Sequence, residues 1–327
     1  MKSKILKELK NADDYISGQQ LCERLGVSRT AVWKHIKALR AEGYEIDSVT
    51  NKGYKLMMEP DLLTKEEVAS CLHTKWLGKD LHCYETMDST NLEIRRLAEA
   101  GAGHGTVAIT EEQTMGKGRR GRSWLAEAGA GIAMSFLLKP QIEAQNSSML
   151  TLVTALAVNE AICETTGIRA KIKWPNDIVI SGRKVCGMLL EMGGDLERLK
   201  FISAGIGINV LQKLEDFPED LREKAGSLAL AGGKGFSLTR TDVLCACLSA
   251  IEQAVELCYA DYPALLEEYR ALSITIGSEI VASGGSDVRG TAIDINENGE
   301  LLVRDAAGEV HVLRTGDVSV RGVMGYV

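Results

Sequence analysis

The chain has 327 residues, of which 45% are hydrophobic and 25% are charged. This length suits roughly two or three domains, and the composition is that of a globular protein rather than a disordered or collagen-like chain. Apolar runs such as 202–211 are shorter than the ~20 residues that a membrane span needs. The N-terminus shows neither the apolar core nor the small-residue cleavage site of a signal peptide. We therefore expect a cytoplasmic protein without a membrane partner.

Charge and cysteine content refine this expectation. The net charge is −7, but residues 1–60 hold 11 Lys and Arg against 8 Asp and Glu, so this head carries +3 and the remainder carries −10. A slightly basic head on an acidic body predicts different partners for the two parts. The eight cysteines form no Cys-x-x-Cys pair and no zinc-ligand spacing. We interpret them as small buried apolar residues and predict no resident metal.

The head is predicted to contain a helix-turn-helix. Apolar residues recur with helical spacing over 4–9, and Ser17 followed by Gln20 forms a capping-box signature for a second helix, which Gly26 ends. Ser28 suits the N-cap of a third helix. A helix, a glycine-containing turn and another helix are the layout of this motif.

A β-hairpin is predicted after the third helix. Residues 44–49 and 54–56 flank the turn-rich segment 51–53, and a hairpin in this place is a wing. Because such a third helix enters the major groove, its exposed side and the wing tip are expected to contact DNA. The predicted DNA-binding residues are Gly18, Ser28, Arg29, Thr30, Trp33, Lys34, Lys37 and Lys52. The alternatives are a helical domain with a solvated charged face and a protein-interaction module; the modest charge favours a dimer with two heads.

The acidic body contains one strongly basic loop. Three glycines and four cations fall within residues 116–122. Backbone N–H and guanidinium groups in such a loop can surround an anion. The spacing fits neither a Walker A loop nor a Gly-x-Gly-x-x-Gly turn. The loop therefore predicts a phosphate or nucleotide site of another kind, with a nonspecific nucleic-acid contact or a mobile surface loop as the alternatives.

Further segments place polar residues or glycines beside apolar runs. They are Asp88-Ser-Thr-Asn91, Lys173-Trp-Pro-Asn-Asp177, Lys184-Val-Cys-Gly187 and Gly205-Ile-Gly-Ile-Asn209. Taken singly, Thr90 with Glu93 is typical of a capping box, Asp177 of a turn, and Lys184 of a strand lysine that extends to solvent. The glycines of the last segment allow a ligand to approach the backbone closely.

Together with the basic loop, and in this order, these segments resemble a bacterial biotin protein ligase. The winged helix ahead of them resembles the bifunctional type that is also the biotin operon repressor. The resemblance covers the whole chain, and its most specific parts are the loop and Lys-Trp-Pro-Asn-Asp. Lys117 departs from the pattern, because many relatives carry arginine there; the charge is kept but the planar fork is lost.

The resemblance implies a two-step reaction. Biotin and ATP, with Mg²⁺ on the phosphates, give biotinyl-5'-adenylate and pyrophosphate. Biotin then passes to a lysine of the biotin carboxyl carrier protein of acetyl-CoA carboxylase or a related carboxylase. Both substrates of the first step are anions, so the cations of the body would offset their repulsion.

The resemblance also implies the residue roles. The catalytic residues would be Lys184, Arg119, Lys173 and Asp177, with Asp177 orienting or deprotonating the acceptor lysine. Biotin and the adenylate would be bound by Ser89, Thr90, Asn91, Gln113, Gly116, Lys117, Gly118, Arg119, Arg120, Arg122, Lys184, Gly187, Gly205 and Gly207. ATP would be bound by Asn176, Asn209 and Arg321. The glycine-rich loop is expected to order over the ligand, since the mixed anhydride hydrolyses readily.

The C-terminal region is predicted to be a small barrel. Its short β-like runs are 279–282, 291–295, 301–304, 310–313 and 318–320. With the resemblance, the predicted fold class is α+β in three domains. These are a winged helix-turn-helix over 1–62, a central α/β ligase core with a mixed sheet over 63–273, and an SH3-like β-barrel over 274–327.

Operator DNA and a homodimer in the adenylate-bound state are further expectations from the resemblance. Ordering of the loop would favour the dimer and so couple the metabolite to DNA binding. Two rival functions stay open. A lipoate protein ligase shares the broad fold and chemistry, although the basic loop and the winged head favour biotin. A ligand-sensing repressor without ligase turnover is the other.

Overall fold

The structure is a computed structural model that describes residues 1–58, 60–140, 147–195, 198–283, 287–314 and 319–322. The chain divides into two compact units, Met1–His73 and Thr74–Val327. The helix over 65–71 follows the domain boundary predicted at residue 62, and it belongs to the first unit. The division into three domains stays a prediction.

The first unit is a winged helix-turn-helix. Its elements are α1 (Lys2–Lys10), α2 (Gly18–Leu25), α3 (Arg29–Ala41), β1 (Glu45–Val49), β2 (Gly53–Met58) and α4 (Lys65–Cys71). The capping box of Ser17 and Gln20 is confirmed, because each side chain binds the backbone N–H of the other. Ser28 caps α3 as predicted, through the N–H of Ala31. These local signals therefore place the helix starts.

The core and the wing hold this unit together. Ile5, Leu21 and Ile36, from the three helices, lie in one buried cluster. The wing hairpin β1–β2 is antiparallel. A side chain at Gly53 would lie 2.1 Å from the carbonyl oxygen of Ile16, so the close bridge between residue 16 and the wing requires glycine there.

Helix α4 is bound to the rest of this unit by a buried carboxylate. Glu67 accepts from Lys10 Nζ at 2.5 Å and from the Tyr44 hydroxyl. Burial and this hydrogen bond raise the pKa of Tyr44. Because a buried carboxylate without partners is costly, these two donors account for the position of α4 in the unit.

The second unit is built on a seven-stranded mixed sheet. Its elements are β3 (Leu81–Met87), α5 (Thr90–Glu99), β4 (Val107–Gln113), β5 (Gly131–Leu138), α6 (Ser148–Thr166), β6 (Lys171–Lys173), β7 (Asp177–Ile180), β8 (Arg183–Asp195), β9 (Arg198–Asn209), α7 (Leu228–Gly232) and α8 (Arg240–Leu272). The strand order is β3-β4-β5-β9-β8-β7-β6, with β3 and β4 parallel and the other neighbours antiparallel. Every residue of the apolar central strand β5 is buried.

Helices cover this sheet. Helix α5 packs on β4, β5 and β9, and α6 packs on α8 and on the strands β6 to β8. By length and composition α8 could cross a membrane, but core helices pass the same test, and 56% of its apolar window is buried. Its backbone leaves helical geometry at Asp261, two residues before Pro263. The absence of a membrane partner stays a prediction.

The C-terminal region is an antiparallel sheet of the SH3-like class. Its strands are β10 (Glu279–Ser283), β11 (Val288–Ile295), β12 (Leu301–Asp305), β13 (Val310–Leu313) and β14 (Ser319–Gly322), in the order β13-β12-β11-β10-β14. The five predicted runs are confirmed where the structure describes them; residue 318 lies outside. Trp174 joins this region to the large sheet by donating from Nε1 to the carbonyl of Gly299. The predicted α+β fold class is confirmed.

One buried carboxylate orders the start of the second unit. Glu252 of α8 accepts hydrogen bonds from the backbone N–H groups of Lys75, Trp76 and Leu77, at 2.6, 2.7 and 2.8 Å. Burial alone would raise the pKa of Glu252, but the three N–H groups outweigh burial and lower it. The segment therefore depends on the ionised carboxylate.

We expect Glu252→Gln to lower the free energy of unfolding by about 1–3 kcal/mol near neutral pH, because the amide replaces a charged acceptor of three N–H groups. A lowered native pKa contributes stability above the ordinary value of 4.5, and this contribution is lost as pH falls through the native pKa. The difference from the native chain should therefore shrink in acid. Denaturant unfolding of both proteins at neutral and at acidic pH measures this difference in the free energy of unfolding.

The matched control is Glu256→Gln, one turn further along α8. Its more exposed carboxylate accepts from Lys75 Nζ and Trp76 Nε1 at 3.3 and 3.2 Å. We expect a loss below about 1 kcal/mol there. Equal losses in the two variants would show that Glu252 has no special part in the fold.

Candidate active site

The predicted site residues converge on the centre of the large sheet. Gly187 of β8 lies opposite both Asp177 of β7 and Gly207 of β9. Gly205 lies opposite Ser135 of β5. Because side chains two residues apart on a strand share a face, Gly205 and Gly207 open the same face of β9, about 7 Å apart. Two clusters of side chains occupy that face.

The first cluster is a buried polar seat at the start of α5. Its members are the side chains of Thr90, Asn91, Ser135 and Ser203. Ser135 Oγ lies 2.7 Å from Thr90 Oγ1 and 2.8 Å from Asn91 Oδ1, and Ser203 Oγ lies 3.1 Å from the same Asn91 oxygen. A Cβ at residue 205 would lie 2.5 Å from Asn91 Oδ1. Gly205 therefore makes room for the amide of Asn91.

Gln113 completes the polar seat from the end of β4. Its Oε1 accepts from the Thr90 backbone N–H at 2.8 Å and lies 3.1 Å from Thr90 Oγ1. Ser89, also buried, is the N-cap residue of α5 and makes no side-chain capping bond. The predicted biotin-binding residues 89–91 and Gln113 thus lie together.

The capping box predicted for Thr90 and Glu93 is wrong. Thr90 is the first residue of α5 rather than its cap, and its hydroxyl contacts Ser135 and Gln113. Glu93 instead accepts from the Tyr84 hydroxyl at 2.8 Å. Tertiary contacts have taken the hydroxyl that the local pattern assigned to the helix terminus.

The second cluster is formed by Trp124, Lys184 and Asp177. A Cβ at residue 207 would lie 2.2 Å from Trp124 Cε2, and one at residue 187 would lie 2.6 Å from Lys184 Nζ. Lys184 Nζ is 2.6 Å from Asp177 Oδ1 and 5.6 Å from the centre of the Trp124 ring. The two glycines therefore form the floor on which the indole and the ammonium rest.

The positions of Lys184 and Asp177 in this cluster can be compared with the two alternatives for each residue. Lys184 is paired with a carboxylate and is only 26% exposed, so it does not simply extend to solvent. Asp177 begins β7, while Asn176 occupies the turn before it. Lys173, which pairs with Asp177 in the β6–β7 register, is buried. Three of the predicted catalytic residues thus lie around one turn.

The basic loop folds back on itself. Gly118 N–H donates to the Arg122 carbonyl at 2.7 Å, and Trp124 N–H donates to the Gly116 carbonyl at 2.9 Å. A Cβ at residue 116 would lie 2.3 Å from the carbonyl oxygen of Trp124, so this closure requires glycine. Arg120 takes a left-handed conformation, with φ of +58°. The loop thereby places Trp124 over the glycine floor.

Arg119 connects the loop with the turn before β7. Its Nη1 donates to Asn176 Oδ1 at 3.0 Å, and Asn176 Nδ2 donates to the carbonyl of Met188. Burial lowers the pKa of Arg119; Asp177 opposes this shift, while the neighbouring Arg120 adds to it. A bound anion would offset the cost of keeping this guanidinium charged in a partly buried place.

Other predicted ligand residues lie around this centre. Lys117, Arg120 and Arg122 are exposed, and Arg120 donates to the carbonyl of Ser283 in the SH3-like sheet. Asn209 is buried and donates to the Gly226 carbonyl at 2.9 Å. Arg321 belongs to β14, but its side chain lies outside the described residues.

In the first unit, the exposed side of α3 presents the predicted DNA-binding residues. Ser28, Arg29, Thr30, Trp33, Lys34 and Lys37 are all exposed. Trp33 is 57% exposed, with Lys37 Nζ 5.4 Å from its ring centre. Lys52 lies at the wing, with Nζ 5.7 Å from the ring of Tyr15. Gly18 begins α2.

Several residues of the site were not predicted. Ser135 and Ser203 complete the polar seat, Glu191 binds Asn91, and Trp124 follows the basic loop. Ser135 carries a signal in the sequence, because it is a single polar residue in the otherwise apolar strand β5. A buried hydroxyl needs a partner, which indicates a polar contact at this position.

Comparison with known protein families defines the class of this protein. Residues 2–55 match the HTH domain family, 84–209 match the Biotin/lipoate A/B protein ligase family, and 275–321 match the Biotin protein ligase C terminal domain. The chain thus combines the domains of a biotin or lipoate ligase with a helix-turn-helix head.

Individual relatives narrow this class. The chain is 38% identical to the bifunctional ligase/repressor BirA of Bacillus subtilis over 320 residues, which are 94% of this chain and 96% of that protein. It is 28% identical to the bifunctional ligase/repressor BirA of Escherichia coli, over 97% and 96% of the two chains. A structure of the biotin protein ligase from Aquifex aeolicus with biotin and ATP matches 75% of this chain and 99% of its own, at 31% identity and a TM-score of 0.66. The chain belongs to the family of bifunctional biotin ligase/repressor proteins.

We expect Gly207→Ala to displace Trp124, because the added methyl group would overlap the indole. Overpacking of this kind costs about 1–3 kcal/mol, so the free energy of unfolding should fall by that amount. Acrylamide quenching of tryptophan fluorescence should also increase as the half-buried indole becomes exposed.

Two controls accompany this variant. Gly103→Ala adds a methyl group where the described residues, its chain neighbours aside, place no atom within 4 Å, and it should leave both readouts unchanged. In a Trp124→Phe background, Gly207→Ala should no longer change the quenching. A persistent change there would mean that another tryptophan reports it and that Trp124 does not rest on Gly207.

Proposed function

We propose that this protein is an ATP-dependent ligase that makes biotinyl-5'-adenylate and transfers biotin to a lysine of a biotin carboxyl carrier protein, and that it also represses biotin genes. The observation that carries the proposal is that one face of the sheet holds the polar seat above Gly205 and the cationic cluster of Lys184, with Trp124 and Asp177, above Gly187 and Gly207. Gly205 and Gly207 are about 7 Å apart along β9. One extended ligand can contact both. The similarity to ligase/repressor proteins supports the same assignment.

In the first step a carboxylate attacks the α-phosphorus of ATP, so two anions must meet. Lys184 and Arg119 contribute positive charge at this point, and Lys173 is buried beside Asp177. The exposed cations of the basic loop, Lys117, Arg120 and Arg122, add to the field from the solvent side. Mg²⁺ bound to the ATP substrate would neutralise part of the phosphate charge. The residues supply orientation and electrostatic stabilisation.

The two ends of the intermediate have different seats in this proposal. The ureido ring of biotin binds at the polar seat of residues 89–91 and Gln113, because a cyclic urea offers both N–H donors and a carbonyl acceptor. The acyl-phosphate lies over Gly187 and Gly207 beside Lys184. The nucleotide is bound by Asn176, Asn209 and Arg321. The loop over 116–122 encloses the mixed anhydride and excludes water.

In the second step the acceptor lysine must lose a proton before its amine attacks the acyl carbon. Asp177 is the proposed group that orients this amine or receives its proton, and Lys184 Nζ, 2.6 Å from Asp177 Oδ1, stabilises the leaving phosphate. The acceptor is the carrier domain of acetyl-CoA carboxylase or a related carboxylase. Arg119 holds the adenylate until the carrier binds.

The first unit supplies the repressor function. Its exposed α3 face, with Arg29, Thr30 and Lys34, enters the major groove of operator DNA, and Lys52 of the wing contacts the backbone. The predicted division into three domains, with boundaries at residues 62 and 273, is part of this proposal; the first compact unit extends further, to His73. In the cytoplasm, adenylate binding favours a homodimer with two heads.

Sedimentation should show a larger fraction of dimer with biotin and Mg-ATP than without them. Equal dimer fractions in the two conditions would contradict the coupling of adenylate binding to dimerisation.

The ligase proposal is tested by pyrophosphate release from Mg-ATP. Release should depend on biotin and should not occur with lipoate in its place. Lipoate-dependent release would identify the other ligase of the same fold class. Biotin binding without pyrophosphate release would indicate a ligand-sensing repressor without turnover.

We expect Arg119→Gly to release the adenylate about tenfold faster or more, because a charge-assisted contact worth about 1.5–3 kcal/mol is lost. Dissociation of preformed adenylate from the protein, followed after a chase with unlabelled biotin, measures this rate. Arg169→Gly, at an exposed position before β6, should retain the adenylate as the native chain does. An unchanged rate in Arg119→Gly would refute the retaining role.

A further inference from the structure

The polar seat ends at a carboxylate that the proposed chemistry does not use. Asn91 Nδ2 lies 2.8 Å from Glu191 Oε2 and 3.1 Å from the carbonyl oxygen of Leu189. Both of these oxygens are acceptors only. The NH₂ group of the Asn91 amide must therefore face them, and this sets the orientation of the amide.

The orientation of Asn91 determines what the neighbouring hydroxyls donate. With its NH₂ group toward Glu191, the amide turns Oδ1 toward Ser135 and Ser203, at 2.8 and 3.1 Å. The Asn91 Oδ1 atom can only accept a hydrogen bond, so Ser135 donates its single hydroxyl proton to it. The 2.7 Å contact between Ser135 Oγ and Thr90 Oγ1 must then use the proton of Thr90.

The assignment of donors and acceptors extends from Thr90 to Gln113. Its Oε1 accepts the Thr90 backbone N–H at 2.8 Å, so the amide oxygen must face Thr90. Thr90 Oγ1 is 3.1 Å from that oxygen, but its proton is already donated to Ser135. The hydroxyls of Ser135 and Thr90 have two protons between them. Three oxygen–oxygen contacts need one each: Ser135 with Asn91, Ser135 with Thr90, and Thr90 with Gln113. Thr90 Oγ1 and Gln113 Oε1 are consequently two acceptors 3.1 Å apart with no proton between them, and a ligand N–H can satisfy both.

We propose that Glu191 is a positioning residue that sets the direction of the hydrogen-bond chain Asn91–Ser135–Thr90, so that Thr90 Oγ1 and Gln113 Oε1 together accept one N–H of a cyclic urea. The inference rests on the proposed ligase function and specifies how its biotin site discriminates. Glu191 acts through Asn91 and does not itself contact the ligand. Because the chain is buried, each of its bonds counts for more than in water.

The sheet explains why these groups meet. Glu191 lies opposite Ser203, Leu189 lies opposite Gly205, and Ser135 also lies opposite Gly205. All of these positions share one face of three neighbouring strands. Asn91 reaches them from α5 only because residue 205 has no side chain.

The test begins with native enzyme that shows biotin-dependent pyrophosphate release, so that failure of the ligase proposal is recognised separately. Glu191→Leu should raise the KM for biotin about tenfold or more, because Asn91 loses the charged and closer one of the two acceptors that orient it. The KM for ATP and kcat at saturating biotin should stay within about twofold, since the chain serves ground-state binding of one substrate. Glu191→Gln retains an acceptor oxygen and should restore a KM near the native value.

A double-mutant cycle separates orientation from simple packing. Ser135→Ala removes one link of the chain, and it should raise the KM for biotin even if Glu191→Leu fails to fold. Combining it with Glu191→Leu should raise the KM for biotin little further, because either substitution alone already breaks the hydrogen-bond chain. Glu85→Leu, which removes an exposed carboxylate from β3, is the matched control and should leave the KM unchanged.

Each of the following results would overturn the proposal. They are an unchanged KM for biotin in Glu191→Leu or Ser135→Ala, a KM for ATP that rises equally, and fully additive effects in the double variant. Failure of Glu191→Gln to restore the KM would likewise assign the residue a structural role only.

Discussion

Close approach to two neighbouring strands is the constraint on which the site depends. Gly187, Gly205 and Gly207 lack side chains on one face of β8 and β9, and other groups occupy the space. The Asn91 amide takes the place above Gly205, while Trp124 and Lys184 rest above the other two. A β-carbon at any of the three would displace a side chain of the site. The glycines therefore position the polar seat and the cationic cluster without contributing a functional group.

Charge is distributed in accordance with this arrangement. The body is acidic overall, yet its site collects Arg119, Lys173 and Lys184 around the turn before β7. Asp177 balances Lys184, whereas burial lowers the pKa of Arg119. An acidic surface around a cationic centre favours a ligand whose negative charge is concentrated at one point. An acyl-adenylate, with its phosphate in the middle, has this distribution.

How far the sequence predicts this molecule depends on the range of the interactions. Local signals are reliable in the head, where Ser17 and Gln20 form the expected capping box and Ser28 caps α3. The similar pattern at Thr90 and Glu93 fails, because the Thr90 hydroxyl is used by residues 23 and 45 positions away. The same type of local pattern thus has two outcomes, and the burial of Thr90 accounts for the difference.

The parts that the sequence does not reveal are those made by distant contacts. Asn91 binds Glu191 across 100 positions and Ser135 across 44, and nothing in the local pattern pairs these residues. The motif residues Lys184 and Asp177 were identified, but their mutual contact required the β7–β8 register. Residue type and order therefore indicate the chemistry of the site, and the strand register explains how the residues act together.

The central claim is that this site produces an activated biotin and delivers it to a carrier lysine. The most direct test incubates the full chain with biotin, Mg-ATP and an apo biotin carboxyl carrier domain, and then measures the mass of the carrier. We expect the carrier to gain one biotinyl group, and we expect no gain when biotin or ATP is omitted or when the acceptor lysine is replaced. A carrier whose mass is unchanged in the complete reaction would contradict the ligase assignment.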